Sequence, residues 1–309
     1  AAAPLSYLNV KRILEAIKMT GADAVHPGYG FLSENAAFAE MLAKNGITFI
    51  GPSAEAIKKM GDKIEAKKIA QSAGVNIVPG YSKTIRSPEE AIKIAHKLGY
   101  PVILKAAAGG GGKGMRVVHN DSEMEQSLYS ARNEAKNNFS DERTFIEKYI
   151  EDPRHIEIQL LADQHGNYVC LGERECSIQR HHQKVIEEAP SIFIDEKTRA
   201  KMYKQSITLG KAVGYHSAGT VEFIVDAKKN FYFMEMNTRL QVEHPVTELV
   251  TGIDIVEQMI RIARGEKLPF KQNDIKIEGH ATECRIYAED ATAGFLPSTG
   301  KITTYHQPE

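Results

Sequence analysis

The sequence predicts a protein of mixed α/β and α+β architecture, and three stretches carry that reading. In residues 1–52, short apolar strands alternate with amphipathic helices across short loops, the pattern of a parallel, helix-covered sheet. In residues 78–150, strands flank a run of glycines and a helix lies on either side. From residue 151 the chain is strand-rich with its helices set apart, which points to an antiparallel sheet. The expected division is a partial Rossmann-like domain over 1–52, a helical linker over 53–77, a small α+β lid over 78–150 and a larger antiparallel-sheet domain over 151–309.

Val10, Ile13, Leu14 and Ile17 share one helical face, and Gly21 ends that helix. Ala24-Val25 reads as a strand running into the loop His26-Pro-Gly-Tyr-Gly-Phe31. Ser33 is expected to cap a second helix reaching Lys44, with Ile47–Ile50 as the next strand. Helices follow at Ala54–Met60 and Asp62–Ala73, then a strand from Val75 to Gly80. Ser87-Pro-Glu-Glu opens a helix with proline at its first position. Strands at Pro101–Leu104 and Arg116–Val118 bracket the glycine loop, before a helix at Asp121–Asn137 and a strand at Arg143–Ile150. Beyond Pro153, strands are expected at Ile156–Leu161, Tyr168–Leu171, Ser177–Gln179, Thr220–Val225 and Phe231–Met236, with helices at Glu196–Val213 and Ile253–Arg264.

A formal net charge of −1 gives no electrostatic case for nucleic acid or an anionic membrane. No apolar run approaches a membrane span. Cys170, Cys176 and Cys284 lack metal-ligand spacing and suit a reducing compartment. Lys18-Met19 lies in an amphipathic helix rather than a tight Met-Lys-Met turn, so Lys18 reads as a surface residue.

Lys105-Ala-Ala-Ala-Gly-Gly-Gly-Gly-Lys-Gly-Met-Arg116 is the most informative segment. It fails as a P-loop, because Gly114 rather than Ser or Thr follows Lys113. Gly109, Gly111 and Gly114 satisfy a dinucleotide fingerprint in spacing, but a strand follows where a helix is required. What remains is a flexible hairpin whose backbone N–H groups can close over phosphates, or simply a mobile turn.

In the hairpin Val221–Asp226/Phe231–Asn237, a four-residue loop with Asp226 opposite Phe231 sets Glu222 opposite Glu235, with Asn237 on the same face. Three hard oxygen donors on one patch suit magnesium, and facing carboxylates would repel without a cation. The other reading is a solvated sheet face. Arg239, Gln241 and Glu243 follow at period two: a guanidinium to fix a small planar anion, a carboxylate to take its proton, or an exposed strand. Ser177–Lys184 gathers Arg180, His181, His182 and Lys184 without zinc-site companions, leaving phosphate or carboxylate binding or a solvated basic turn.

Together these segments resemble the biotin carboxylase family of the ATP-grasp superfamily. The motifs are His26–Asn35, Phe49-Ile-Gly-Pro52, Gly61-Asp-Lys63, the glycine loop, Phe145-Ile-Glu-Lys-Tyr149, His182-Gln-Lys184, Glu235–His244 and Glu283–Asp290. Ile286-Tyr-Ala-Glu289 and Phe295–Gly300 are most similar to α subunits of acyl-CoA carboxylases, propionyl-CoA above all. The resemblance implies ATP, magnesium or manganese, bicarbonate, and biotin on a separate carrier domain. It implies that Lys63, Lys105 and the loop Gly109, Gly110, Gly111 and Gly112 contact the nucleotide phosphates. Glu147, Lys148 and Ile150 would meet the adenine and His155 the ribose, with Gln179 and His182 completing the nucleotide site. Glu222, Glu235 and Asn237 would hold the metal, and Lys184, Arg239, Gln241 and Val242 the bicarbonate, with Glu243 as its base. Arg285 and Tyr29 would face biotin.

The implied partners are the biotin carrier domain and a carboxyltransferase subunit within an oligomer, with no nucleic acid and no membrane. The implied setting is bacterial cytoplasm or mitochondrial matrix. His181 stands where members often carry Arg, so a cation is lost there at neutral pH. The family's opening strand, glycine turn and helix, and the end of its last domain, are not matched. Residues 1–309 are therefore expected to be a fragment that is destabilised or self-associating. Two other classes stay open: another ATP-grasp ligase working through an acyl phosphate, and a non-catalytic nucleotide-binding or assembly module.

Overall fold

A computed structural model describes residues 2–108 and 113–307. The glycines 109–112, central to the expected phosphate loop, lie outside the described residues.

After a 3-10 turn at Ala3–Leu5 comes helix α1 (Val10–Thr20), whose N-cap Asn9 accepts from the backbone of Lys11 and Arg12 and which ends at Gly21 in the left-handed conformation. Strand β1 (Ala24–Val25) pairs in parallel with β2 (Thr48–Phe49), and helix α2 (Ala36–Lys44) lies between them. Ile17, Phe38 and Leu42 form their shared core. Ser33 does not cap α2. Its hydroxyl closes the preceding turn by donating to Gly30 O, and Asn35 caps instead, accepting from Phe38 N at 2.9 Å. Helices α3 (Ala54–Gly61) and α4 (Lys63–Ser72) follow, separated at Asp62, whose side chain caps α4.

The expected strand from Val75 shrinks to β3 (Gly80–Tyr81) and one bridge, Ile77 with Phe233. Pro79 has no N–H to donate, and the segment crosses from one sheet to another. Helix α5 (Pro88–Leu98), strands β4 (Val102–Ala106) and β5 (Met115–Val118), helix α6 (Asp121–Phe139) and strand β6 (Thr144–Lys148) complete a sheet of order β3-β6-β4-β5. Val102, Leu104 and Ile146 point to a core with α5 and α6. The alternate positions, Lys105, Phe145 and Glu147, face the other way, as the two-residue period requires. Gly114, at the foot of the glycine loop, has φ +70°, and an added Cβ would lie 2.8 Å from that of Ala106. Gly114→Ala is expected to cost about 1–3 kcal/mol, read as a lowered melting midpoint. An unchanged midpoint would show that this turn can relax.

Strands β7 (Arg154–Ala162), β8 (Tyr168–Arg180), β9 (Gln183–Ala189), β10 (Ser217–Val225), β11 (Phe231–Asn237) and β12 (Ala281–Cys284) form an antiparallel sheet of order β11-β10-β7-β8-β9-β12. Of these, β9 and β12 have no counterpart in the sequence reading. Helix α7 (Glu196–Ala212) covers one face, where Ile156, Ile158, Leu160, Val221 and Phe223 join the largest hydrophobic core. The opposite face is covered at one end by α9 (Ile255–Ala263) through Leu161, Val169 and Ala218. Over the rest lie a loop, 238–243, and helix α8 (His244–Thr251). Thr238–Glu243 is thus not a strand. Pro245, in the first turn of α8, is the missed signal for that helix. A short pair, β13 (Glu289–Asp290) and β14 (Leu296–Pro297), follows β12.

The β10–β11 hairpin departs from expectation in an instructive way. Val225, not Asp226, opposes Phe231, one residue out of the expected register. A bulge between Glu222 and Phe223 then absorbs one extra residue of β11, and Glu222 comes to lie opposite Glu235 after all. The two shifts cancel.

Candidate active site

The sheet face beneath α8 is polar yet closed to solvent. His155, Glu157 and Gln159 on β7, Arg174 and Cys176 on β8, and Thr220 and Glu222 on β10 all point into it; Glu157 and Arg174 are fully buried. Carboxylates in such a place must be paired.

Lys184 supplies the pairing. Its ammonium donates to Glu157 Oε2 at 2.5 Å, Glu243 Oε1 at 2.7 Å and Glu222 Oε1 at 3.0 Å. Burial alone would lower the Lys184 pKa, but the carboxylates around it raise it well above the usual lysine value. Arg285 adds one further acid, donating to Glu187 Oε1 at 2.6 Å and to the other oxygen of Glu243, Oε2, at 2.9 Å. Burial would raise the Glu243 pKa, but Lys184 and Arg174 outweigh it and hold the carboxyl down to about 2. A carboxyl lowered in the folded state adds stability above its unfolded value and gives it up as the pH falls through the folded value. Glu243→Gln should therefore lose stability less steeply than the parent from about pH 4 to about pH 3, by up to about 1.4 kcal/mol per pH unit. Parallel acid-denaturation curves would contradict that assignment.

Arg239 donates through Nε to Glu34 Oε2 at 2.9 Å and through Nη2 to Asn237 Oδ1 at 3.0 Å. Glu34 also accepts from Thr238 N at 2.9 Å, so the loop before α2 pins the start of the 238–243 segment. Gln241 is buried and donates its amide to Glu222 Oε1 at 3.0 Å, while Val242 is half-buried beside it.

The expected metal donors come together in part. Asn237 Nδ2 donates to Glu222 Oε1 at 2.8 Å, and Glu235 is the cross-strand partner of Glu222. Each donor faces a cation: Glu222 meets Lys184, Asn237 Oδ1 meets Arg239, and Glu235 Oε2 accepts from Lys63 Nζ at 2.5 Å. Three hard oxygens, all held by positive groups, are a donor set that fits magnesium. His155, Glu157 and Glu222 also bring ligand atoms within 4.8 Å of one another. His155 Nε2 lies 3.2 Å from Glu222 Oε2; burial lowers its pKa but Glu222 raises it further.

The expected nucleotide residues lie on the neighbouring sheet and on α4. Glu147 is buried between two lysines, with Lys105 Nζ at 3.0 Å and Lys67 on its other oxygen. Burial opposes ionisation of Glu147, but Lys105 and Lys67 prevail and lower its pKa. Two lysines meet one carboxylate here, and burial lowers the pKa of Lys67. The Glu147 side chain is thus committed within the protein. Lys148 likewise donates its ammonium to Gly99 O and Tyr100 O, both at 2.9 Å. Ile150 lies just past the end of β6. Gln179 donates to Cys176 O at 2.8 Å and lies 3.0 Å from His155 Nδ1. His181 and His182 form the β8–β9 turn at φ +51° and +62°, both exposed. Tyr29 is exposed on the loop after β1 and, among the described residues, has no polar contact with the cluster.

Sequence reasoning missed Glu157, Arg174, Lys67, Glu187 and Glu34 as parts of this centre. Glu34 alone stood inside a recognised motif. Among the described residues, no helix is long and apolar enough to cross a membrane.

Comparison with known proteins is consistent across sequence and structure. Residues 1–57 match the family "Biotin carboxylase, N-terminal domain", and residues 62–271 match "Carbamoyl-phosphate synthase L chain, ATP binding domain". The chain is 61% identical to the propionyl-CoA carboxylase alpha chain of Ruegeria pomeroyi, covering 98% of this chain and 44% of that protein. It is 55% identical to biotin carboxylase 2 of Bacillus subtilis, covering 98% of this chain and 68% of that one. The biotin carboxylase domain of Hydrogenobacter thermophilus 2-oxoglutarate carboxylase, solved with MgADP, ADP and bicarbonate, superposes with a TM-score of 0.95 at 50% identity, over 98% of this chain and 67% of that one. The chain thus spans less than half the length of the first of these relatives.

Proposed function

Because the chain belongs to the biotin carboxylase family and has its ATP-grasp fold, we propose that it performs the ATP- and bicarbonate-dependent carboxylation of biotin carried on a separate domain. The observation that carries this reading is the convergence on Lys184. One ammonium joins Glu243, the candidate base, to Glu222, a candidate metal ligand, and Arg285 grips the other oxygen of Glu243.

Bicarbonate is a poor nucleophile at neutral pH. Lys184, Arg239, the Gln241 amide and the backbone at Val242 hold it, and Glu243 takes its proton as an oxygen attacks the γ-phosphorus of ATP. ADP leaves, and the mixed anhydride carboxyphosphate remains. Lys63 and Lys105 spread the charge of the phosphoryl group in transit. Magnesium held by Glu222, Glu235 and Asn237 would supply charge neutralisation along the nucleotide phosphates. The adenine lies against the backbone of 147–150, and the ribose meets His155 with Gln179 and His182 beside it. Carboxyphosphate collapses to CO2 and phosphate. Phosphate takes the N1′ proton of biotin, Arg285 stabilises the enolate-like ureido oxygen, and N1′ attacks CO2. Tyr29 lines the biotin approach.

High identity to a propionyl-CoA carboxylase alpha chain favours propionyl-CoA as the final carboxyl acceptor, through a carboxyltransferase partner in an oligomeric assembly. Bacterial cytoplasm or mitochondrial matrix is the setting that suits such an assembly. The same reading divides the chain near residues 52, 77 and 150 into partial N-terminal, linker, lid and metal-site segments.

ADP release is the test, measured with ATP, magnesium and bicarbonate, with and without free biotin, on residues 1–309 and on the full-length polypeptide. Turnover that needs bicarbonate and rises with biotin is expected. Stimulation by ammonia or an amine instead would assign the chain to another ATP-grasp ligase. Nucleotide binding without turnover in either form would make it a binding module.

A further inference from the structure

We propose that Arg174 is a positioning residue that presets the bicarbonate end of the site; this rests on the function proposed above. Arg174 lies in the middle of β8, opposite Glu157, with no solvent exposure. Its guanidinium has five N–H donors and makes five hydrogen bonds. Nε donates to Glu157 Oε1 at 2.6 Å, Nη1 to Gln159 Oε1 at 2.8 Å and Thr247 Oγ1 at 2.9 Å, and Nη2 to Thr220 Oγ1 at 3.1 Å and Gln241 Oε1 at 2.6 Å.

Every acceptor is a side-chain atom, and three of the five act directly on the site. Arg174 can only donate, so it fixes which end of the Gln241 amide faces it. The oxygen turns inward, and Nε2 must turn out toward Glu222, where it donates at 3.0 Å. By occupying Oε1 of Glu157, Arg174 leaves Oε2 to hold Lys184 at 2.5 Å. Through Thr247 it holds α8, the helix that starts immediately after Glu243. Gln241 is thus one hydrogen bond from this guanidinium, Lys184 two through Glu157, and Glu243 one bond and one helical turn through Thr247. Glu157 matches its charge, and the other four acceptors satisfy the remaining N–H donors, as any buried guanidinium requires. What goes beyond that need is the choice of acceptors, because Gln241, Glu157 and Thr247 each lead to the bicarbonate end of the site. The lysines of the nucleotide end, Lys63, Lys67 and Lys105, have their own acids, Glu235 and Glu147, and none of their ion pairs includes Arg174.

Arg174→Lys in the full-length polypeptide tests the assignment, because it keeps the charge and loses the fork. The KM for bicarbonate is expected to rise about tenfold or more while the KM for MgATP changes less than about threefold, with cooperative melting retained. Combined with Gln241→Ala, the rise in bicarbonate KM should be smaller than the product of the two single effects, as for residues acting through one another. Equal rises in both KM values, or a loss of kcat alone in proportion to the folded fraction, would overturn the proposal. If Arg174→Lys does not fold, Thr247→Val removes one acceptor without touching the charge, and a smaller rise confined to bicarbonate is expected. An unchanged bicarbonate KM in that variant would count against the proposal. A crystal structure of Arg174→Lys separates this inference from the functional reading. If the parent shows no bicarbonate-dependent turnover, the function fails, yet a displaced Gln241 amide or Lys184 would still support positioning. Both side chains unmoved would refute it.

Discussion

Glu243→Gln is expected to lower biotin carboxylation about 10²- to 10⁴-fold, the usual worth of a positioned proton acceptor, with little change in the KM for MgATP. The two oxygens of Glu243 have separate duties, Oε1 toward Lys184 and Oε2 toward Arg285. An amide keeps the shape but one of its ends becomes a donor, facing a cation. More importantly, it has no basic oxygen. Lys184 and Arg174 hold the carboxyl down to about 2, so it is ionised at neutral pH but is a weak base. It can take the proton of bicarbonate only if its cations transfer to the anion being formed. Lys184 is placed for that exchange, since it already spans Glu243, Glu157 and Glu222. The loss should therefore fall on kcat and be insensitive to added bicarbonate. Retained carboxylation would move the base elsewhere, with Glu157 next in reach of Lys184.

How much of this was legible in the sequence depended on the range of the interaction. Caps and stops were local and could be read directly: Ser87 before Pro88, and Gly21 after α1. The cross-strand placement of Glu222 and Glu235 was reached through an assumed register that the structure does not have, rescued by a bulge that no local pattern announces. The motif residues Lys184, Glu243 and Arg285 stood out because they lie in segments dense with ionisable groups. Glu157 did not, because it sits in a run that alternates like an ordinary half-exposed strand, His-Ile-Glu-Ile-Gln, and Arg174 did not, because it falls in the gap between the expected strands Tyr168–Leu171 and Ser177–Gln179, which are one strand in the structure. Period two says which residues share a face, not whether that face meets water or a covering helix. Here α8 covers it, and α8 was itself unread.

That buried pair carries the largest expected stability effect. Glu157→Ala is expected to destabilise the fold by about 3–5 kcal/mol, as removal of one partner of a buried ion pair does. Its oxygens accept from Arg174 at 2.6 Å and Lys184 at 2.5 Å. Lys184 would keep Glu222 and Glu243, but Arg174, fully enclosed, would lose the only carboxylate to which it donates among the described residues. The penalty is that of an uncompensated buried cation rather than the worth of the contact. A second substitution should therefore relieve it. Adding Arg174→Met removes the stranded charge and refills part of its volume, so the double variant should be more stable than Glu157→Ala alone, although less active than either parent residue allows. Denaturant unfolding of the three proteins decides the matter. If the double variant is the least stable, the effects are additive, and the pair contributes through its full set of hydrogen bonds to Gln159, Thr220, Gln241 and Thr247. If it recovers, the pair is retained at this place for the direction it gives to Lys184 and Gln241.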